Sequence, residues 1–276
     1  TLPEGNSVTQ TYDLKGNVLT RTAIPKSGSG LSNISSSSTY HGTFNVPLTM
    51  TDGRGNTTTL TYDAVTGKLL TAQGPQVGSP LQTPTRTLTW NARGQMLTVT
   101  DETGIVTQYN YDVSTEKLTS IVNDFGIGRL NLTVSFGYNS QGDINSVTDQ
   151  RSNTSSFVFD SKRRLTQATS AAPFSYVSKY YFDANDNVYR TERQTGNPAE
   201  PWQVYQTAFN YADLPTLHTD PFGKITTRQY DALRRLWKTT DAENRVTESS
   251  YDAASRLSSV KDPSLTILET RLYTDN

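Results

Sequence analysis

Apolar side chains recur two apart along this chain, at Leu60/Tyr62, Leu88/Trp90, Tyr109/Tyr111, Phe136/Tyr138, Phe157/Phe159, Tyr180/Phe182 and Phe209/Tyr211. A period of two predicts β-strands with one buried face, and places Trp90 in that buried set. The run after each of these pairs spaces its apolar residues by three, as at Leu118/Ile121, Ile144/Val147 and Leu257/Val260. That spacing breaks strict alternation and predicts a bulge or tight twist in the outgoing strand. Between the runs stand turn signals, Asp or Asn with Gly three residues on: Asp13/Gly16, Asp52/Gly55, Asn91/Gly94, Asp101/Gly104, Asn139/Gly142 and Asp220/Gly223. They suit type I turns, in which the first residue caps the backbone with its own side chain.

These signals repeat. Aromatic landmarks fall at Tyr12, Tyr40, Tyr62, Trp90, Tyr111, Tyr138, Phe159, Phe182, Tyr211, Tyr230 and Tyr251, with spacings of 28, 22, 28, 21, 27, 21, 23, 29, 19 and 21. Most carry Asp or Asn next in sequence, giving the pairs Tyr12-Asp13, Tyr62-Asp63, Trp90-Asn91, Tyr111-Asp112, Tyr138-Asn139, Phe159-Asp160, Phe182-Asp183, Tyr230-Asp231 and Tyr251-Asp252. Asp52 and Asp63, Asp101 and Asp112, Asp149 and Asp160, Asp220 and Asp231, and Asp241 and Asp252 are each eleven apart, so each unit has two turns. Removing four turn residues leaves strands of about seven residues, about 23 Å long. One repeat is then one β-hairpin. A lone hairpin cannot offset the conformational entropy of ordering its residues with one aromatic, so stability has to accrue along the array. The extra length of the longer units reads as surface excursions at Lys26 to Ser38, Gly74 to Thr85 and Thr195 to Trp202, because Ser, Gly and Pro there do not continue a central strand. Residues 1–276 form one continuous array of about ten repeats. Both ends fall inside a repeat, which predicts a segment of a longer chain.

Composition narrows the function. Only 33% of the residues are hydrophobic, and 25 basic residues stand against 26 acidic ones, so no net field recruits nucleic acid or an anionic membrane. Cysteine is absent, which leaves no disulfide framework and no thiolate chemistry. No apolar run is long enough for a membrane span and no export signal opens the chain.

The aromatic-Asp pair, the turn, and a basic-Leu step at Lys68-Leu69, Lys117-Leu118, Arg164-Leu165, Arg235-Leu236 and Arg256-Leu257 together resemble the YD/RHS repeat family. Asp220-Pro221-Phe222-Gly223 is similar to that family's Asp-Pro-x-Gly turn. The resemblance covers essentially the whole chain. Departures stand at Tyr40-His41, at Tyr211-Ala212, and where Arg163, Asp186, Arg234 and Ser255 occupy glycine slots, so those turns are expected to deviate in type. The resemblance implies an all-β fold in which tandem hairpins form a curved, spiralling antiparallel sheet, part of a hollow shell as in Tc-toxin cocoons, RHS polymorphic toxins and teneurin ectodomains. It also implies a wall that holds a toxin or other polypeptide, or an adhesion scaffold.

Candidate chemistry is sparse. The two histidines, His41 and His218, lie far apart, and His41 occupies the Asp slot of a repeat, where a turn residue is expected. Asp183, Asn185 and Asn187 mimic half of a calcium loop, but Val188 replaces the required Gly and Gln194 stands where the bidentate Glu belongs. Asp124-Phe125-Gly126 matches a kinase metal motif with none of its companions and reads as a turn. The turn aspartates have backbone-capping work that competes with any role as paired hydrolytic carboxylates. No catalytic residue, metal or cofactor is assigned. Trp202 and Trp237 are the candidates for a glycan contact, since exposed aromatic faces stack on sugars.

The expected function is therefore a non-catalytic scaffold in an extracellular, secreted or cell-surface protein. Its expected partners are further repeats of the same chain or neighbouring subunits, and an enclosed toxin or cargo polypeptide. The competing readings are an adhesion module that binds cell-surface glycans and a self-assembling extracellular fibre, whose exposed sheet edges would recruit further subunits.

Overall fold

The computed structural model describes residues 5–78, 82–197, 199–261 and 267–271. It contains 23 β-strands, from Ser7–Tyr12 to Ile267–Thr270, and among the described residues no helix. The chain divides into two compact units, Thr1–Ser135 and Phe136–Asn276. In each, the strands run antiparallel to their neighbours in sequence, as the hairpin repeat requires. In the first unit, for example, Thr57–Tyr62 pairs with Pro47–Thr51 before it and Leu69–Gln73 after it. In the second, Ile225–Tyr230 pairs with Pro215–Thr219 and Leu236–Thr240 in the same way.

The bulge lies where the three-residue spacing placed it. Tyr62 faces Leu69 while Thr61 faces Thr71, leaving Leu70 as the extra residue. Leu118 faces Tyr111 and Ile121 faces Tyr109, with Thr119 between. The extra residue brings Leu118 and Ile121 onto one face, although an unbroken pleat would put them on opposite faces. The same slip, Tyr251 to Leu257 and Ser249 to Val260, restores the face in the next-to-last hairpin.

The aromatic face is covered less than alternation predicts. Val122, at 8% exposure, is the one apolar side chain among the described residues that is buried, and Trp90 is half-buried. The physical reason is that, among the described residues of each unit, every strand touches only the strands before and after it. A side chain there is sheltered by neighbours in its own sheet and by no opposing layer.

Three local expectations change. Ile34–Tyr40 is a strand, so the first excursion ends before Ile34. Its serines take ladder positions, with Ser35 Oγ 2.8 Å from Thr22 Oγ1. The landmark assigned to Tyr211 belongs to Phe209: that residue ends its strand, and Tyr211 is 95% exposed in the turn. Asn210 then fills the Asp slot, its Oδ1 accepting from the Ala212 and Leu214 amides at 2.9 and 3.1 Å. Finally, Arg163, Asp186, Arg234 and Ser255 do not change the turn. They adopt φ of 64°, 69°, 63° and 62°, the left-handed conformation glycine takes elsewhere, and each amide still bonds back to the Asp carbonyl at 2.9 to 3.2 Å.

Candidate functional site

The recurring constructed feature of this chain is the junction between one hairpin and the next. It starts with the turn aspartate. Asp52 Oδ1 accepts from the amides of Arg54 and Asn56 at 2.8 and 2.9 Å, and Oδ2 accepts from the Asn56 side chain at 3.0 Å. Asp13 is held alike by Lys15 and Asn17. Where Asn replaces Asp the polarity inverts: Asn91 Nδ2 donates to Gln95 Oε1 at 2.8 Å, and Asn139 Nδ2 to Asp143 Oδ2 at 3.2 Å. These bonds hold the Asp13, Asp52 and Asp231 carboxylates below their ordinary range. For Asp52 the Asn56 side-chain amide is the largest cause, and for Asp231 the Arg235 backbone amide leads.

The basic residue of the basic-Leu step sits four after the Asp where it is Arg and five where it is Lys, and its position explains the step. Arg235 donates from Nε to Asp231 Oδ2 at 2.7 Å, reaches Ser255 Oγ from Nη1 at 3.2 Å, and lies with its Cζ 4.6 Å from the Tyr251 ring centroid. Arg164 repeats the arrangement, forked on Asp160, paired with Asp186 and stacked 4.5 Å from the Phe182 centroid. Lys68 stands 5.2 Å from the centroid of Trp90. In each case the cation of one repeat covers the landmark aromatic of the next.

The aromatic closes the junction with its polar handle. Tyr62 and Tyr230 donate from their hydroxyls to the carbonyls of Pro47 and Pro215 at 2.8 and 2.9 Å, and Tyr251 donates to Leu236 at 2.7 Å. Trp90 Nε1 donates to Leu69 at 2.8 Å, and Tyr40 to Val18 at 3.2 Å. Each acceptor is the first residue of the preceding outgoing strand, beside its bulge. The bond spans 15 residues in short units and 21 or 22 in long ones. The excursions therefore leave the junction intact. Burial pushes the Tyr62 and Tyr111 phenols upward. Tyr12, 55% exposed, turns instead to Gln10 Oε1 at 2.9 Å.

The other face of the first unit carries a ladder of hydroxyls that the strand pattern alone did not reveal. Thr11 meets Thr20, Thr39 meets Thr49, Thr61 meets Thr71, and Thr89 meets Thr98, with oxygens 2.6 to 2.7 Å apart.

The remaining sequence candidates resolve as follows. His41 takes the turn role, its Nδ1 accepting from the amides of Thr43 and Phe44 at 3.2 and 3.3 Å. Asp183 Oδ1 caps Asn185 and Asn187, both at 2.9 Å, while Asp213 Oδ1 takes their side-chain amides. Asp124-Phe125-Gly126 closes a loop in which Asn131 donates to the Asp124 carbonyl at 3.0 Å and Arg129 pairs with the carboxylate at 3.4 Å. No cluster of three or more His, Asp or Glu that could hold a metal occurs among the described residues.

Trp202 and Trp237 are both half-buried and do not share a site. Trp202 lines a cleft of about 200 Å³ with Phe174, Tyr176, Asn197 and Glu200, and Lys179 Nζ stands 4.8 Å from its centroid. Trp237 is the bulged residue between Leu236 and Lys238, outside that cleft.

No protein-family model matches the chain, and no curated protein matches it. Its fold is similar to that of Tc-toxin structures. The TcdB2-TccC3-TEV crystal structure is 17% identical with a TM-score of 0.59, over 92% of this chain and 15% of that one. The TcdB2-TccC3 crystal structure is 13% identical with a TM-score of 0.56, over 96% and 20%. The Photorhabdus luminescens Tc holotoxin pore is 14% identical with a TM-score of 0.54, over 98% and 20%. This chain thus spans 15 to 20% of the chains it matches. At these identities the likeness is one of fold, and it agrees with the resemblance to YD/RHS repeats.

Proposed function

We propose that this chain is a wall segment of an RHS/YD-repeat β-shell, a non-catalytic scaffold in an extracellular protein that encloses or presents a toxin or other polypeptide. The observation that carries this reading is a well-made junction without a core. Every junction described above ties one hairpin to the next, yet only Val122 is buried among the apolar side chains described. A sheet built this way adds length and area with each repeat and gains little from folding over on itself. The likeness in fold to complexes of Tc-toxin components supports the same reading, as does the position of its loops outside the junction geometry.

The test is electron cryomicroscopy of the full open reading frame, combined with limited proteolysis. A hollow particle is expected, with this segment in its wall and an internal polypeptide that resists protease until the wall is opened. A filled two-layer sandwich, or a polypeptide cleaved equally fast in the intact particle, refutes the proposal.

An adhesion role is the second reading, and the Trp202 cleft favours it: three aromatic rings adjoin an amide and a carboxylate there, a combination suited to a sugar ring and its hydroxyls. Binding on a glycan array that is lost in Trp202→Ala and retained in Trp237→Ala is the expected outcome of that reading. No binding above background, or binding indifferent to Trp202, eliminates it.

A further inference from the structure

On the aromatic face of the second unit, three consecutive strands form a cationic cleft. Thr191 faces Tyr205 across the ladder, Thr207 faces His218, and Arg193 lies two residues beyond Thr191, so all five share one face. They line a cleft of about 250 Å³ that contains no carboxylate. The Arg193 guanidinium stands 5.6 Å from the Tyr205 centroid. His218 stacks on the same ring at 6.2 Å and 24°. Thr207 Oγ1 is 3.1 Å from His218 Nδ1, which leaves Nε2 for a ligand.

The charge on this face has no internal counterpart. Thr226 faces His218, which puts Arg228 on the same face one strand further along. Neither Arg193 nor Arg228 makes an ion pair among the described residues. The strand carboxylates of this unit whose side chains are described, Glu192 and Glu248, lie on the opposite face, where Arg190 and Lys238 pair with them. Unpaired guanidinium, imidazole and hydroxyl donors around one open cleft are suited to an oxyanion.

We propose that this face binds an extended acidic segment of polypeptide, with one carboxylate in the cleft at Arg193 and His218 and a second at Arg228. The spacing favours polypeptide over a sulfated glycan. Arg193 and Arg228 are three strands apart and offset by six residues along them, about 24 Å between Cα atoms, which is about the span of seven to eight residues in an extended chain. A polysulfated sugar presents charge far more densely than two cations at that distance can match. The site lies on strands and is independent of whether a shell closes around it.

The test is isothermal titration of the intact chain with a synthetic peptide bearing two glutamates eight residues apart. The arms are its glutamine counterpart and a sulfated oligosaccharide. The glutamate peptide is expected to bind, with affinity falling as salt rises, and the glutamine peptide to show no binding. Arg193→Gln is expected to weaken binding roughly tenfold and Arg193→Lys less, since lysine keeps the charge but loses the two-pronged donor. Arg21→Gln, in the other unit, leaves it unchanged. Circular dichroism establishes that each variant is folded. Absence of binding by the glutamate peptide, equal affinity in folded Arg193→Gln, or tighter binding of the sulfated oligosaccharide through Arg193 overturns the proposal.

Discussion

In Thr1–Ser135 the left-handed position of the turn is filled mostly by glycine, at Gly16, Gly55, Gly67, Gly94 and Gly104, with Asn45 and Glu116 as exceptions. In Phe136–Asn276 the same position holds Ser152, Arg163, Ser175, Asp186, Asp213, Arg234, Asn244 and Ser255, and glycine at Gly142 and Gly223. The clamps differ as well. Asn17 and Asn56 close turns in the first unit; in the second, Asn153 and Asn187 do the same at two turns, while Arg164, Arg235, Arg245 and Arg256 pair with their aspartates at four others. The first unit thus avoids left-handed strain and relies on neutral hydrogen bonds. The second accepts a cost of about 1 kcal/mol at each non-glycine position, and at Arg163, Arg234, Asn244 and Ser255 a charged clamp on the same turn opposes it; Arg164 and Arg235 also cover the next aromatic. One turn geometry has two chemical solutions, because it is the Asp carboxylate and its two amides that define it.

The largest effect able to break this comparison is acid. The ordinary pKa of an aspartate is 3.8, and hydrogen bonds lower it in the folded chain at Asp52, Asp101, Asp112, Asp231 and Asp252, with Asp112 lowered furthest, the Ser114 hydroxyl being the first cause. A depressed pKa contributes stability above the unfolded value that is lost as pH falls through the folded one. Circular dichroism is expected to show strand content steady at neutral pH and falling below about pH 4 in both units. A sheet unchanged at pH 2 contradicts the carboxylate account.

Trp90→Ala is expected to cost about 2–3 kcal/mol in denaturant unfolding, below the usual range for a fully buried ring because this one is half-buried. Trp90→Phe, which keeps most of the area and loses the Nε1 bond to Leu69, should cost about 1 kcal/mol.

The glycine contrast predicts opposite signs for one exchange. Gly104→Ala destabilises by about 1 kcal/mol through its φ of 83° alone, because nothing lies within 4 Å of the added methyl. Arg234→Gly stabilises by about 0.5–1 kcal/mol, because it relieves a φ of 63°. If both shift thermal midpoints the same way, the two units do not differ as described.

Asp231→Asn should lower the unfolding midpoint more than Asp52→Asn, since the first strands the Arg235 fork and the second swaps one amide contact for another. The smallest effect is in the hydroxyl ladder. The double change Thr61→Val and Thr71→Val removes both partners of a 2.6 Å bond, and is expected to alter stability by no more than about 0.5 kcal/mol. A much larger loss would mean that the ladder organises the sheet.

Much of this was legible in sequence because it is local. Asp and Asn caps, the turn glycines, the period of two and the three-residue spacing at the bulge each act within about ten residues, so the hairpin, its turns and its bulge could be read directly. The substituted turns were misread for the same reason: a missing glycine suggests a different turn, and only the intact bonds from the Arg163 and Arg234 amides to the Asp160 and Asp231 carbonyls show that the geometry persists. Tyr211 misled because an aromatic two after Phe209 continues an alternation that the chain has already left for the turn.

What the sequence by itself determined, then, is the Tyr-Asp hairpin and its repetition. Only the tertiary structure decided which carbonyl each landmark aromatic reaches, that Lys68, Arg164 and Arg235 cover the ring of the following repeat, and that Arg193, Tyr205 and His218 share one cleft. Those contacts cross strands, and the loops between strands vary in length. Each bulge also shifts the register by one residue, so sequence distance does not specify the neighbour. Strand pairing does, and it places a guanidinium, a phenol ring and an imidazole from three strands on one face with no carboxylate beside them.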